Sequence, residues 1–150
     1  MRCGTIQSEA DMVKHCETFE HTADIGLRAS GETLGELFEA MGEGLADLIC
    51  PRRNVSAKQS RRIRLQAEDV EALAVDFLSQ ILFAIETDRF AVATVHIREI
   101  SERAVTGEIV GEPFDPGRHE FGTEVKGVTY HLLRIAPQDE WWTGQVILDV

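Results

Sequence analysis

Long apolar runs, paired cysteines and glycine-rich phosphate loops are what this 150-residue sequence lacks. No apolar stretch approaches the roughly 18 residues of a membrane span, and the opening MRCGTIQSEADMVKHC has no apolar core of a signal peptide. No membrane partner is expected, and residues 1–16 read as a flexible leader. Cys3, Cys16 and Cys50 are an odd set with no C-x-x-C among them, which argues against a disulfide framework or zinc knuckle and for a reducing, cytoplasmic location. The sequence holds no G-x-x-x-x-G-K-[ST], no G-x-S-x-G and no dinucleotide fingerprint, so the common nucleotide-binding and hydrolytic chemistries lack their residues. His119 and Glu120 begin like H-E-x-x-H, but Thr123 stands where the second histidine belongs, and the zinc platform fails.

Basic residues are also scarce. Lysine and arginine number 15 against 26 acids, a net charge of −11 that opposes long-range attraction to nucleic-acid phosphates or anionic membranes. The exception is PRRNVSAKQSRRIR, where Arg52, Arg53, Lys58, Arg61, Arg62 and Arg64 stand with no acid between them. That stretch is either a solvated loop complementing a helix C-terminus or a docking patch.

What is present is a globular composition, 43% hydrophobic and 27% charged, on a chain long enough for one domain, residues 17–150, with its own core. From Phe19 to Ser30 apolar and polar residues alternate with period two, as in a strand with one wet face. Leu34, Leu37, Phe38, Met41, Leu45, Leu48 and Ile49 then recur at helical spacing until Pro51, in a helix weakened by Gly35, Gly42 and Gly44. A short strand around Ile63 and Leu65 precedes a second helix. Its first turn carries Glu68, Asp69 and Glu71, and its apolar residues surround it more completely, which predicts the most buried element. FAVATVHIREI, ERAVTGEIVGE, EVKGVTYHLLRI and WWTGQVILDV read as strands joined by hairpin connections. The expected class is α+β: a two-layer sandwich, with two helices on one face of a largely antiparallel sheet of about six strands.

On a regular first strand, His21 shares the inward face with Phe19 and Ile25, as a satisfied core histidine, while Asp24 lies on the wet face; a local turn at Thr22 and Ala23 alters this. In the last strand Trp142, Gly144, Val146 and Leu148 share one face, which leaves Asp149 on the other. Asp24, Asp149 and the main-chain carboxylate of Val150 would form an all-oxygen site for a hard cation if the first and last strands were neighbours. Two solvated acids of an acid-rich surface account for the same residues otherwise. Lys126 is correspondingly either a cross-strand surface lysine, on a face with Glu124, Val128 and Tyr130, or a fixed cation beside that site.

FEHTADIG, GEPFDPGRHE, TEVKGVTYH and the terminal VILDV stand in the order and spacing of the archease family, which the chain resembles from about Phe19 to Val150. The resemblance implies an accessory protein rather than an enzyme, a cofactor of the RtcB-type RNA-splicing ligase that promotes the ligase's guanylylation and multiple turnover in tRNA splicing and RNA repair. RNA would be met only through the ligase. It also implies a divalent cation, calcium foremost with magnesium or manganese as alternatives, held by Asp24, Asp149 and Val150. Lys126 matches a residue needed for ligase activation, alongside Asp24 and Asp149, with His21 a supporting candidate. Gly127 departs from the alanine more usual after that lysine. A stand-alone metal-dependent hydrolase and a calcium-stabilised, chaperone-like adaptor are the alternatives.

Overall fold

The computed structural model describes residues 14–21 and 24–150, and of Glu20 and His21 the backbone alone. Seven strands and two long helices follow one another as β1 (His15–His21), β2 (Asp24–Gly31), α1 (Leu34–Ile49), β3 (Gln59–Gln66), α2 (Val70–Glu86), β4 (Phe90–Ile100), β5 (Ala104–Pro113), β6 (Gly127–Gln138) and β7 (Trp141–Asp149). The α+β class is as expected. The strands divide between two antiparallel sheets, one ordered β1-β2-β7-β6 and the other β3-β5-β4.

The single strand read over Phe19–Ser30 is in fact parts of two. β1 and β2 form a hairpin in which Thr18 faces Leu27, Phe19 faces Gly26 and His21 faces Asp24. Directly opposed residues share a face of a sheet, so Phe19 lies with Gly26 and Arg28, away from the core residues Leu27 and Ala29. Its ring covers Gly26, where a Cβ would stand 2.1 Å from the ring, and the Arg28 guanidinium stacks on it at 4.0 Å. No Gly or Pro marks the reversal, so alternation alone ran through it. The strand pairing begins earlier than the sequence reading, at His15, and Cys16 is a core residue. The remainder of the leader, residues 1–13, lies outside the described residues, as do Thr22 and Ala23.

Both helices start on side-chain caps. Thr33 accepts from the Glu36 N–H at 3.1 Å and Asp69 from the Ala72 N–H at 2.8 Å, satisfying donors that the first turn leaves open. The burial order of the helices is the reverse of the expected one: α1 has eleven buried residues of 16, α2 eight of 17. The glycines of α1 are the reason, because three of them face three different neighbours. A Cβ on Gly44 would stand 2.3 Å from Cys16 Sγ and one on Gly42 2.8 Å from Ile81 Cδ1, while Gly35 sits under Ile97 and Ile100. α1 therefore touches the first sheet, α2 and β4 together, and Phe38 meets Phe77 of α2 at 5.1 Å between ring centres. The missing side chains lower helix propensity but let the backbone approach closely enough to share one core.

β4 is an edge of the second sheet, and α1 covers it. Glu43 accepts from the Val95 N–H at 3.0 Å and Glu39 from the Ile97 N–H at 2.9 Å. Carboxylates thereby occupy a row of donors that would otherwise template another strand.

Candidate functional site

Asp24 and Asp149 are cross-strand partners in β2 and β7, and Asp149 faces Gly127 of β6 on its other side. Their neighbours Ile25 and Leu148 point into the core, so both carboxylates stand together on the outer face of the first sheet. Asp149 is exposed and Asp24 half-buried. The adjacency of the strands, on which the sequence reading depended, is present. Val150, next to Asp149, packs partly against the core.

His21 is the Cα partner of Asp24. The two therefore belong to a hairpin end, and the alternation that assigned them to opposite faces of one strand does not apply to them; the His21 side chain lies outside the described residues.

Lys126 precedes β6 rather than lying within it, which corrects its assignment to a strand face with Glu124 and Val128. Its backbone N–H donates to the Asp149 carbonyl at 2.7 Å, which ties Lys126 to the same sheet end, one residue before Gly127, the register partner of Asp149. Its exposed side chain borders a depression with Phe83 and Glu86 of α2. None of the ion pairs formed among the described residues uses Asp24, Asp149 or Lys126. Three charged residues at one end of a sheet are thus outside every ion pair among the described residues.

Among the described residues no group of three or more His, Cys, Asp or Glu side chains is placed to hold a metal ion. The donor set is two carboxylates, hard oxygen ligands suited to Ca²⁺ or Mg²⁺, and such a cation would take its remaining oxygens from water, main chain or a partner.

The loop that delivers Lys126 is clasped from behind. Buried Glu112 accepts from the Ser56 N–H at 2.7 Å, from Arg118 and from His119 Nε2 at 3.0 Å. His119 Nδ1 accepts from the Asp115 N–H at 2.8 Å, which assigns the Nε2 proton to Glu112. The Ser56 amide foremost, then Arg118, with His119 adding less, holds the Glu112 carboxyl down to about 2, against the opposing effect of burial. Further along, Gly122 and Thr123 donate to the carbonyls of Ile49 and Leu48 at the end of α1. His119 thus serves a structural network, and the incomplete H-E-x-x-H signal gave no hint of its partner Glu112.

Most of the basic stretch is answered internally. Arg52 lies near Glu43 and Asp47, Arg53 on Glu120, Lys58 3.9 Å from Glu112 and Arg61 on Asp88 at 2.8 Å. Arg62 and Arg64 remain exposed on β3.

The sequence reading missed Arg28 and Arg134, which flank Gln145 from β2 and β6. Period-two alternation marks Arg28 as outward, but nothing local links it to Arg134.

Residues 16–150 match the model of the Archease protein family (MTH1598/TM1083). The chain is 37% identical over 142 residues to protein archease of Pyrococcus furiosus, covering 92% of this chain and 100% of that one. It is 35% identical over 141 residues to protein archease of Methanosarcina acetivorans, covering 91% and 97%. Among solved structures, Methanobacterium thermoautotrophicum protein 1598 superposes with a TM-score of 0.74 at 32% identity, covering 90% of this chain and 98% of that one. A Thermotoga maritima protein described as an archease and "possible chaperone" shares the fold, with a TM-score of 0.59 at 22% identity over 88% and 94% of the two chains. A fold carrying the acid pair at the β2–β7 end, matched by the family model across nearly the whole chain, places this protein in the archease family.

Proposed function

We propose that this protein is a cofactor of an RtcB-type RNA-splicing ligase, raising the ligase's guanylylation and allowing repeated turnover in tRNA splicing and RNA repair. The observation that carries this reading is that Asp24 and Asp149 are opposed at one sheet end with the Lys126 backbone bonded to Asp149, none of the three in an ion pair among the described residues. Asp24 and Asp149, with Val150 beside them, would hold a divalent cation, calcium, magnesium or manganese. Bound there, the cation supplies positive charge that can offset phosphate oxygens during nucleotidyl transfer. The two carboxylates would orient that charge, and Lys126 adds a second cation at the same sheet end. Transfer of a phosphoryl-type group depends on positioning and charge compensation, which an accessory protein can provide without a nucleophile of its own. A net charge of −11 suits docking to a basic, RNA-binding partner and disfavours direct RNA contact.

The test combines the purified chain with its cognate ligase, GTP, a divalent metal and an RNA bearing a 3′-phosphate. Guanylylated ligase and joined RNA per ligase should both rise in the presence of the wild-type protein and not with Asp24→Ala. No change at any ratio up to equimolar would sink the reading. A stand-alone hydrolytic activity lost in Asp24→Ala would replace it with the enzyme alternative.

A further inference from the structure

The outer face of the first sheet holds a groove of about 330 Å³, distinct from the acid pair. Its lining includes His15, Glu17, Arg28, Arg134, Thr143 and Gln145. Glu17, Arg28, Gln145 and Arg134 form one register row across β1, β2, β7 and β6. Four residues of extended strand separate Asp24 from Arg28, about 13 Å along β2.

Arg28 is held but not used up. One face of its guanidinium lies on the Phe19 ring, and its Nε–H donates to Gln145 Oε1 at 3.1 Å. Gln145 is fixed in turn, because its Nε2 donates to the Leu132 carbonyl at 3.0 Å. That carbonyl belongs to the irregular segment of β6 between Thr129 and Arg134, where Leu132 takes a φ of 54°. With Nε bonded and the plane stacked, the two Nη groups are left with fixed directions and no partner among the described residues. Arg134, across Gln145, also makes no ion pair among them. Among the described residues Glu17 is the one carboxylate lining the groove, and His15 Nε2 lies 4.0 Å from it. Among the described residues two guanidinium groups therefore line the groove with one carboxylate, on a chain whose overall balance is strongly acidic.

We infer that this groove binds a phosphate monoester, either a small free ester or the phosphorylated end of a larger molecule. A stacked, Nε-anchored arginine presents a planar fork matched to two oxygens of an oxyanion, and its ordering cost is already met. A second guanidinium on the far side of β7 addresses the remaining oxygens of a tetrahedral phosphate, which a planar carboxylate does not offer. The volume is at the small end of the roughly 300–1,000 Å³ of ligand sites, which suits a compact ester.

Amide chemical shifts of the full ¹⁵N-labelled chain are the readout, with inorganic phosphate, a nucleoside 5′-monophosphate, succinate, and a short oligonucleotide with and without a terminal phosphate as probes. Saturable shifts at Arg28, Arg134 and Gln145 are expected with the phosphates and not with succinate. Arg28→Gln and Arg134→Gln should each weaken phosphate binding about tenfold or more, and Arg28→Lys should do so too, because it keeps the charge and loses the fork. Tighter binding of the monophosphate assigns the free ester, and tighter binding of the phosphorylated oligonucleotide assigns a terminus. No saturation at ~10 mM phosphate, equal binding of succinate, or binding untouched by both glutamine variants overturns the inference. Asp24→Asn should leave this binding intact, so its outcome is separable from that of the ligase reading.

Discussion

Asp24 and Asp149 face each other across β2 and β7, although 125 positions separate them in the sequence. Two like charges at directly opposed positions work against the pairing that brings them together.

Replacing one of them should therefore separate stability from function. Asp149→Asn is expected to raise the melting temperature slightly, by an amount corresponding to about 0.2–1 kcal/mol, while abolishing ligase stimulation. Adding Ca²⁺ or Mg²⁺ should raise the melting temperature of the wild type and not of the variant, because an ion held by the folded acid pair, as proposed, stabilises the folded state alone. Thermal scans with and without metal, beside the ligase assay, check both.

Gly44→Ala pits two effects against each other. Helix propensity favours alanine by about 1 kcal/mol, whereas overpacking a filled core costs about 1–3 kcal/mol. With the new Cβ 2.3 Å from Cys16 Sγ, the second should win, and denaturant titration should show net destabilisation. Combining Gly44→Ala with Cys16→Ala should recover part of the loss, because the Sγ atom is then gone.

The Glu112 clasp predicts a pH dependence with a definite sign. The folded-state pKa is lowered from 4.5 to about 2, so the stabilisation is complete above the ordinary carboxylate range and is lost as pH falls from about 4.5 through 2. Glu112→Gln should be less stable than wild type at neutral pH, and the gap should narrow across that window. Equal acid profiles for the two proteins would contradict the clasp.

The cover on the β4 edge predicts a change in association. Glu43→Ala leaves the Val95 N–H without its acceptor and removes a partner of Arg52, a loss of about 1–3 kcal/mol for an unsatisfied buried donor. The Glu39→Ala, Glu43→Ala double variant should also self-associate on heating, visible by light scattering, because an open strand edge templates pairing.

Both helices were legible in the sequence, because apolar spacing, with Pro51 after the first and an acidic first turn in the second, acts within a few residues. The β4 strand was legible over its whole length for the same local reason. The division into β1 and β2 was not, since alternation looks the same in both strands and neither glycine nor proline stands between them in the sequence. Nor was the depth of α1: glycine reads as a weak helix residue until the neighbours that need its missing side chain are known.

The candidate site divides in the same way. Sequence by itself determined which residues are acidic and outward-facing, Asp24 and Asp149, through the period-two pleat of each strand. Only the tertiary structure decided that they meet, that the Lys126 amide closes on Asp149, and that Arg28 and Arg134 flank Gln145. The physical reason is range: side-chain alternation is set by the backbone of a single strand, whereas strand order and register are set by how the whole apolar surface is buried at once.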